Sequence, residues 1–140
     1  MPEKILVVDD EVDMLMLLRM IIEDNTRYAV ETTNNPSEAL QILRQEKFDL
    51  VITHLKMPGY DGLELFNELK EIQPQLPVII ITAYGSREAA EEAIREGISD
   101  FITKPFKKER ILLTIDRSLE LAQLKRENTD LKQKLEGPAD

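Results

Sequence analysis

Acidic, hydroxyl and ammonium side chains stand at the ends of separate apolar runs in this sequence. Asp9 and Asp10 follow the run KILVV, and Thr82 closes the run PVIIIT. Lys104 directly follows ISDFIT. Two adjacent carboxylates offer the hard oxygen ligands that Mg²⁺ prefers, and a hydroxyl and an ammonium group nearby suit the handling of a phosphoryl group. The residue types therefore predict metal-assisted phosphoryl chemistry, provided that the fold brings these positions together.

Each of these residues alone has a simpler interpretation. The acids could cap a helix, because negative charge is favourable at helix N-termini. Thr82 could be an ordinary β-branched strand residue, and Lys104 could be an exposed surface charge. The phosphoryl interpretation depends on their joint placement at strand ends.

His54 is the single histidine of the chain and follows the apolar run DLVIT. Imidazole is longer than a carboxylate, and it prefers Zn²⁺, Ni²⁺ or Cu²⁺ over Mg²⁺. One hypothesis is that Asp9 and Asp10 favour its protonated form, which would make the domain pH-sensitive. Another is a transition-metal site built from these three side chains.

The segments that must position these residues alternate between apolar runs and amphipathic helical patterns. Such alternation predicts βαβ crossovers and a doubly wound α/β fold, a parallel sheet with helices on both faces. Ligands of such sheets bind at the carboxyl ends of the strands. We predict strands at 4–8, 28–33, 48–53, 77–82 and 98–103, and helices at 12–23, from Pro36, at 62–72, at 87–95 with a C-cap at Gly97, and from near Lys107.

The composition excludes several classes of function. A chain of 140 residues is most simply one domain, and the absence of cysteine excludes disulfides, thiolate metal sites and a cysteine nucleophile. The net charge of −9 repels phosphate backbones, so we expect no direct nucleic-acid binding. The sequence has no apolar run of membrane-span length and no signal-peptide pattern, so we expect no membrane insertion and a cytoplasmic location.

Four motifs, ILVVDDE, DLVITHLKMPGYDG, VIIITAYGS and DFITKPF, resemble those of the receiver domain of bacterial two-component response regulators. The resemblance covers residues 4 to about 120. It implies a flavodoxin-like (βα)5 fold with strand order 2-1-3-4-5 and a sensor histidine kinase as partner. It also implies a cis peptide bond between Lys104 and Pro105, and it assigns roles to single residues. The Mg²⁺ ligands would be Asp9, Asp10 and the backbone carbonyl of Lys56, the switch residues Thr82 and Phe101, and the phosphoryl contact Lys104.

His54 departs from the family pattern, which has the phosphate-accepting aspartate at this position. An aspartyl carboxylate is both a nucleophile and a hard metal ligand, and imidazole does neither job in the same geometry. We therefore predict that the chain is not phosphorylated by the usual route, binds Mg²⁺ weakly or not at all, and stays in one state. The substitution could be natural or introduced.

We expect a signalling module rather than an enzyme. A Mg²⁺-dependent phosphoryl-transfer enzyme on a similar sheet is the alternative, and it would need an aspartate nucleophile and a general acid. A flavin-binding protein would need a phosphate-binding loop, and the strand ends offer none.

The last helical segment contains neither Gly nor Pro from Lys107 to Glu136, and its second half has a heptad pattern. Glu120 and Glu127 fall at g, and Lys125 and Lys132 fall at e. A single Asn at an a position favours a parallel two-stranded coiled coil, so we predict a homodimer through this helix. The predicted domains are a receiver at 1–120, a coiled-coil linker helix at 121–136 that continues the last helix, and a tail at 137–140. The seam residues are Leu121 (a), Leu124 (d), Asn128 (a), Leu131 (d) and Leu135 (a).

A receiver followed by a leucine-rich helix resembles the amino-terminal part of the NtrC and DctD family. Those proteins are transcriptional activators that work with sigma-54 polymerase. The resemblance implies that receiver dimers control a downstream AAA+ ATPase domain. The 140 residues contain neither a Walker A loop nor a basic recognition helix.

Overall fold

Five parallel strands form the central sheet of the computed structural model. The structure describes residues 3–57, 60–82 and 87–136, and within these ranges it does not describe the side chains of 56–57, 60–63, 87, 89–90 and 128–136. The strands are β1 (Lys4–Val8), β2 (Ala29–Thr33), β3 (Leu50–His54), β4 (Val78–Thr82) and β5 (Asp100–Thr103).

A helix follows each strand along the chain. A short antiparallel hairpin, in which Lys56–Met57 pairs with Tyr60–Asp61, lies between β3 and the third helix. The helices are α1 (Val12–Asn25), α2 (Pro36–Gln45), α3 (Gly62–Ile72), α4 (Arg87–Glu96) and α5 (Lys108–Glu136).

The strands lie side by side in the order β2-β1-β3-β4-β5, and all four pairings are parallel. This is the flavodoxin-like arrangement that the receiver resemblance implies, and a long C-terminal helix follows it. Parallel strands need crossover connections, and here each crossover contains a helix that covers the sheet. The predicted fold class is confirmed.

Alternating side chains of the strands fill two separate cores. In β1, Leu6 and Val8 pack on the face that carries α2 and α3, while Ile5 and Val7 pack on the face that carries α1 and α5. The strand period of two therefore makes both faces of the strand apolar. All five residues of β4 are buried because β4 has neighbours on both sides and helices on both faces.

Two helix ends show the chemistry that their sequences predict. Asn35 caps α2, since its side-chain oxygen accepts hydrogen bonds from the backbone N–H groups of Ser37 (2.8 Å) and Glu38 (3.4 Å), and Pro36 occupies the first turn. At the end of α4, Gly97 has a φ of 114°. The Gly97 N–H donates to the carbonyl of Ile94, and the Ile98 N–H donates to that of Ala93, which forms a complete Schellman cap.

Predicted and observed bounds differ where side chains compete for the backbone. β3 begins at Leu50 rather than at Phe48, and it includes His54. Asp49, just before β3, accepts a hydrogen bond from the Lys4 N–H at 2.8 Å. β2 likewise begins after Tyr28, whose N–H donates to the Thr26 hydroxyl at 3.1 Å.

Candidate functional site

The candidate site lies at the carboxyl edge of the sheet, where neighbouring strands end together. Asp9 follows β1, and His54 is the last residue of the adjacent β3. Val8 pairs with Thr53, and Asp9 and His54 are the residues that follow this pair on the two neighbouring strands. Thr82 ends β4, and Lys104 follows β5. The structure therefore brings the predicted acid, hydroxyl and ammonium groups to one edge.

Asp9 is the buried acid of the site, with 1% of its surface exposed. Its Oδ1 accepts a hydrogen bond from the backbone N–H of Glu11 at 2.9 Å, and its own N–H donates to the carbonyl of Thr33 at 3.2 Å. Burial raises the pKa of the Asp9 carboxyl above its ordinary value. The next residue, Asp10, is exposed.

One hydrogen-bond donor and two positive charges act on the pKa of the Asp9 carboxyl in the opposite direction. The Glu11 N–H comes first, and the charges of His54 and Lys104 then lower the pKa of Asp9 without cancelling the effect of burial. A hydrogen bond with the Asp10 side chain raises it further. These electrostatic couplings place the imidazole, the ammonium group and both carboxyls within interaction range of one another.

The backbone around His54 is held by the neighbouring strand β4. It pairs with Ile81 of β4, and the following Leu55 N–H donates to the Ile81 carbonyl at 2.8 Å. The Thr53 hydroxyl donates to the His54 carbonyl at 3.2 Å. The imidazole is half-buried, and its Nε2 atom is buried. The strand thus fixes the backbone position of His54, at the end of the strand next to the one that Asp9 follows.

The predicted switch residues occupy the adjoining strands. Thr82 is 8% exposed, and its carbonyl accepts a hydrogen bond from the Lys104 N–H at 2.8 Å. Phe101 lies on β5 opposite Ile80 and is half-buried against the core on the α3 face. The peptide bond between Lys104 and Pro105 is cis, as the family resemblance implies.

Lys56 is described only through its backbone, which pairs with Asp61 in the hairpin after β3. Its side chain lies outside the described residues. The role predicted for its carbonyl as a metal ligand stays a prediction.

The donor set at this edge is a poor match to Mg²⁺. The side chain at the end of β3 is an imidazole rather than a hard oxygen ligand, which leaves Asp9 and Asp10 as the side-chain oxygen donors that the sequence predicts. Among the side chains that the structure describes, no group of three or more His, Cys, Asp or Glu residues could hold a metal ion. Weak Mg²⁺ binding stays a prediction, and so does the transition-metal site.

Sequence reasoning overlooked the backbone partner of Asp9. The hydrogen bond from the N–H of Glu11, two residues on, is a local turn that aspartate commonly forms. The run Asp-Asp-Glu after an apolar strand is a signal that could have indicated it. The turn holds the Asp9 carboxyl at the start of α1.

Comparison with known families decides the classification. The model of the response regulator receiver domain matches residues 5–116. This chain belongs to the response regulator receiver family. In the part of this receiver that the structure describes, no helix is long and apolar enough to cross a membrane.

Two relatives of this receiver are much longer proteins, which it matches over only part of their length. It is 41% identical to the transcriptional regulatory protein GlrR of Escherichia coli K12 over 119 residues, which is 85% of this chain and 27% of GlrR. A crystal structure of NtrX from Brucella abortus in complex with ADP matches with a TM-score of 0.87 and 41% identity, over 94% of this chain and 30% of that one. The chain thus spans less than a third of the length of these two relatives.

Other similar structures are of receiver size, and one of them is a dimer. The solution structure of the beryllofluoride-activated NtrC4 receiver domain dimer matches with a TM-score of 0.80 and 35% identity. The match covers 85% of this chain and 98% of that one. It is therefore a like-for-like comparison of whole receivers.

Proposed function

We propose that this chain is the receiver module of a response regulator that controls a sigma-54-type transcriptional activator, and that His54 stands at its phosphoacceptor position. Support for the regulatory setting comes from the relatives, which include the transcriptional regulatory protein GlrR and the regulator NtrX. In the proposed full-length protein a sensor histidine kinase acts upstream and an AAA+ domain follows the receiver. The receiver works in the cytoplasm as a signalling module and not as an enzyme.

The observation that carries this proposal is the imidazole at the end of β3. His54 ends the strand next to Asp9, and the charges of His54 and Lys104 both lower the pKa of the Asp9 carboxyl. Phosphoryl transfer to a receiver needs an oxygen nucleophile that also binds the metal. An imidazole removes both properties at once, so the usual route of phosphorylation is lost and the module stays in one state.

In this proposal Thr82 and Phe101 are the switch residues, which change conformation when a receiver is phosphorylated. Thr82 ends β4 next to the site, and Phe101 lies on the neighbouring β5. Without a phosphoryl group, no new charge draws the Thr82 hydroxyl towards the site. We expect both side chains to keep the arrangement described above.

We also propose that the receiver at 1–120 dimerises through the coiled-coil linker helix at 121–136, with a tail at 137–140. The NtrC4 receiver, which is of similar size, is described as a dimer. Leu121 and Leu124 are 54% and 52% exposed, which suits residues that face a partner. The side chains of Asn128, Leu131 and Leu135, the other predicted seam residues, lie outside the described residues.

Acetyl phosphate tests the loss of the acceptor. We expect the wild-type chain to gain no phosphoryl group, His54→Asp to gain one, and His54→Asn to gain none, as measured by intact-mass spectrometry. His54→Asn is the matched control, because it restores the shorter side chain but no nucleophile. A phosphoryl group on the wild-type histidine, stable in base and labile in acid, would overturn the proposal.

Titration calorimetry with MgCl2 tests the metal site separately. His54→Asp supplies a further hard oxygen ligand, so we expect it to bind Mg²⁺ at least about tenfold more tightly than the wild type, which corresponds to about 1.4 kcal/mol. Equal affinities would show that the imidazole is not what weakens the site. Titration with ZnCl2, with His54→Ala as control, tests the transition-metal alternative in the same way.

A further inference from the structure

Helix α5 continues well beyond the part of it that the sheet supports. Among the α5 side chains that the structure describes, Ala122, at 8% exposure, is the last buried one, and residues 123–127 are all exposed. The helix nevertheless runs on to Glu136, which leaves fourteen residues past Ala122. An isolated helix of that length is only marginally stable in water. This overhang therefore needs a partner surface.

The exposed leucines of α5 indicate what that partner is. Leu121 and Leu124 are three residues apart on one side of the helix. Leu121 also flanks the buried Ser118, three residues before it, so this side borders the packed face of the helix. The two leucines occupy the first a and d positions of the predicted heptads. A seam of this kind is covered most simply by the same seam of a second copy. With little more than two heptads, the coil needs additional contact area.

A groove lies directly beside this seam, at the amino edge of the sheet. It is a cavity of about 410 Å³ between α5 and two loops, 74–77 and 97–99. We call it the basal groove. Its α5 side is formed by Ser118, Leu121, Ala122 and Lys125.

Leu121 belongs both to the seam and to the wall of the basal groove. Ser118 and Ala122 are small, so the helix leaves space between itself and the loops. Helices in contact pack 8–10 Å apart, so a partner helix on the seam would also lie along the rim of the groove. Lys125 is on that rim at an e position, where a parallel coil places the partner's preceding g residue, a glutamate.

We propose that α5 of a second copy packs over the basal groove as well as along the seam, so that the dimer interface includes loops 74–77 and 97–99 of the receiver. This inference rests on the dimerisation proposed above and specifies where the extra contact lies. The occupant is a second copy because the leucine seam runs directly into the groove wall. The interface then joins the coil to the receiver fold.

A tryptophan reporter tests this interface, since the chain contains no tryptophan. Gln75 is exposed and lines the groove, whereas Gln41 is exposed on α2 and does not line it. We would follow Gln75→Trp and Gln41→Trp by fluorescence and by sedimentation velocity over one concentration series. We expect emission of the Gln75→Trp variant to shift to shorter wavelength as the dimer forms, and emission of the Gln41→Trp variant to stay unchanged. Loss of the dimer in Gln75→Trp alone would also support the inference, because it shows that the groove must stay open.

Leu124→Asp separates this inference from the dimerisation on which it rests. Leu124 does not line the groove, and a charge in the seam should weaken the dimer at least about a hundredfold in Kd. Adding Leu124→Asp to Gln75→Trp should abolish the shift. Dimers that form normally in Gln75→Trp without any shift would overturn the groove inference and leave the coil intact. A wild-type chain that stays monomeric at the highest concentration would overturn both.

Discussion

The two edges of the same sheet differ in how they treat polar groups. At the carboxyl edge, Asp9 is buried and burial raises the pKa of its carboxyl, so the site holds a charge in an unfavourable place. At the amino edge, polar groups close the ends of elements. The Gln73 amide donates to the carbonyls of Leu43 (2.8 Å) and Glu46 (3.1 Å) at the end of α2. The difference indicates that one edge stabilises the fold while the other carries the chemistry at a cost in stability.

The strongest test of the amino edge is Gly97→Ala. The φ of 114° at this residue is a conformation that side chains disfavour whatever space surrounds them. We expect the free energy of unfolding to fall by about 1–3 kcal/mol, as measured by urea denaturation. Glu96→Ala, one residue earlier in a regular helix, should change it by less than about 0.5 kcal/mol. Equal losses in the two variants would contradict a backbone origin.

The next largest effect is expected for Gln73→Ala. This change removes two hydrogen bonds to helix carbonyls, one of them partly buried, and should lower the free energy of unfolding by about 1–2 kcal/mol. Gln75→Ala removes an exposed amide two residues further on and serves as the control. If both variants unfold at the same urea concentration, the amide of Gln73 does not hold α2 to α3.

At the carboxyl edge the sign should reverse, so that Asp9→Asn stabilises the protein near neutral pH. A carboxyl whose pKa is raised on folding binds its proton more tightly in the folded state, and above that raised pKa its charge costs stability. The gain from Asn should therefore shrink as the pH falls through the raised pKa, and it should disappear well below 3.8, the ordinary value, where the carboxyl is neutral in both states. Thermal midpoints of Asp9→Asn and of Asp24→Asn, a control at an exposed position of α1, measure this. A loss of stability in Asp9→Asn at neutral pH would contradict the contrast between the edges.

The smallest effect is expected for Tyr28→Phe, near the amino edge. The Tyr28 hydroxyl donates to Asp116 of α5 at 2.7 Å, and burial, followed by this bond, raises the pKa of the phenol above its ordinary value of 10.0. We expect a loss of about 0.5–1 kcal/mol, constant below pH 10.0. Above that pH the advantage of the wild type should diminish, because the unfolded tyrosine ionises first. An advantage that grows at alkaline pH would be inconsistent with the raised pKa.

Much of this fold follows from local sequence signals. The bounds of β1 and α3 agree with those predicted, and Asn35 and Gly97 cap their helices as their residue types indicate. The placement of Asp9, Thr82 and Lys104 at one edge also follows, because strand ends in a parallel sheet meet at the same side. Such signals lie within a few residues of one another and do not depend on distant packing.

Other features depend on contacts between distant residues and were not predictable in the same way. The two hydrogen bonds from the Gln73 amide to the end of α2 join residues that are 27 and 30 positions apart in the chain. The basal groove exists because Ser118 and Ala122 lie opposite two loops, and no local pattern places them there. The raised pKa of Asp9 depends on its burial, and Asp9 is buried because the strand that it follows lies inside the sheet, between β2 and β3.

Helix α5 is one uninterrupted element from Lys108 to Glu136, and this gives it a mechanical property. It begins just after the carboxyl edge, and the part past Ala122 acts as a lever arm. At 1.5 Å per residue this arm is about 21 Å long, so a tilt of about 10° at the sheet would move its far end by roughly 4 Å. A displacement too small to break contacts at the site would thus be magnified at the end of the helix.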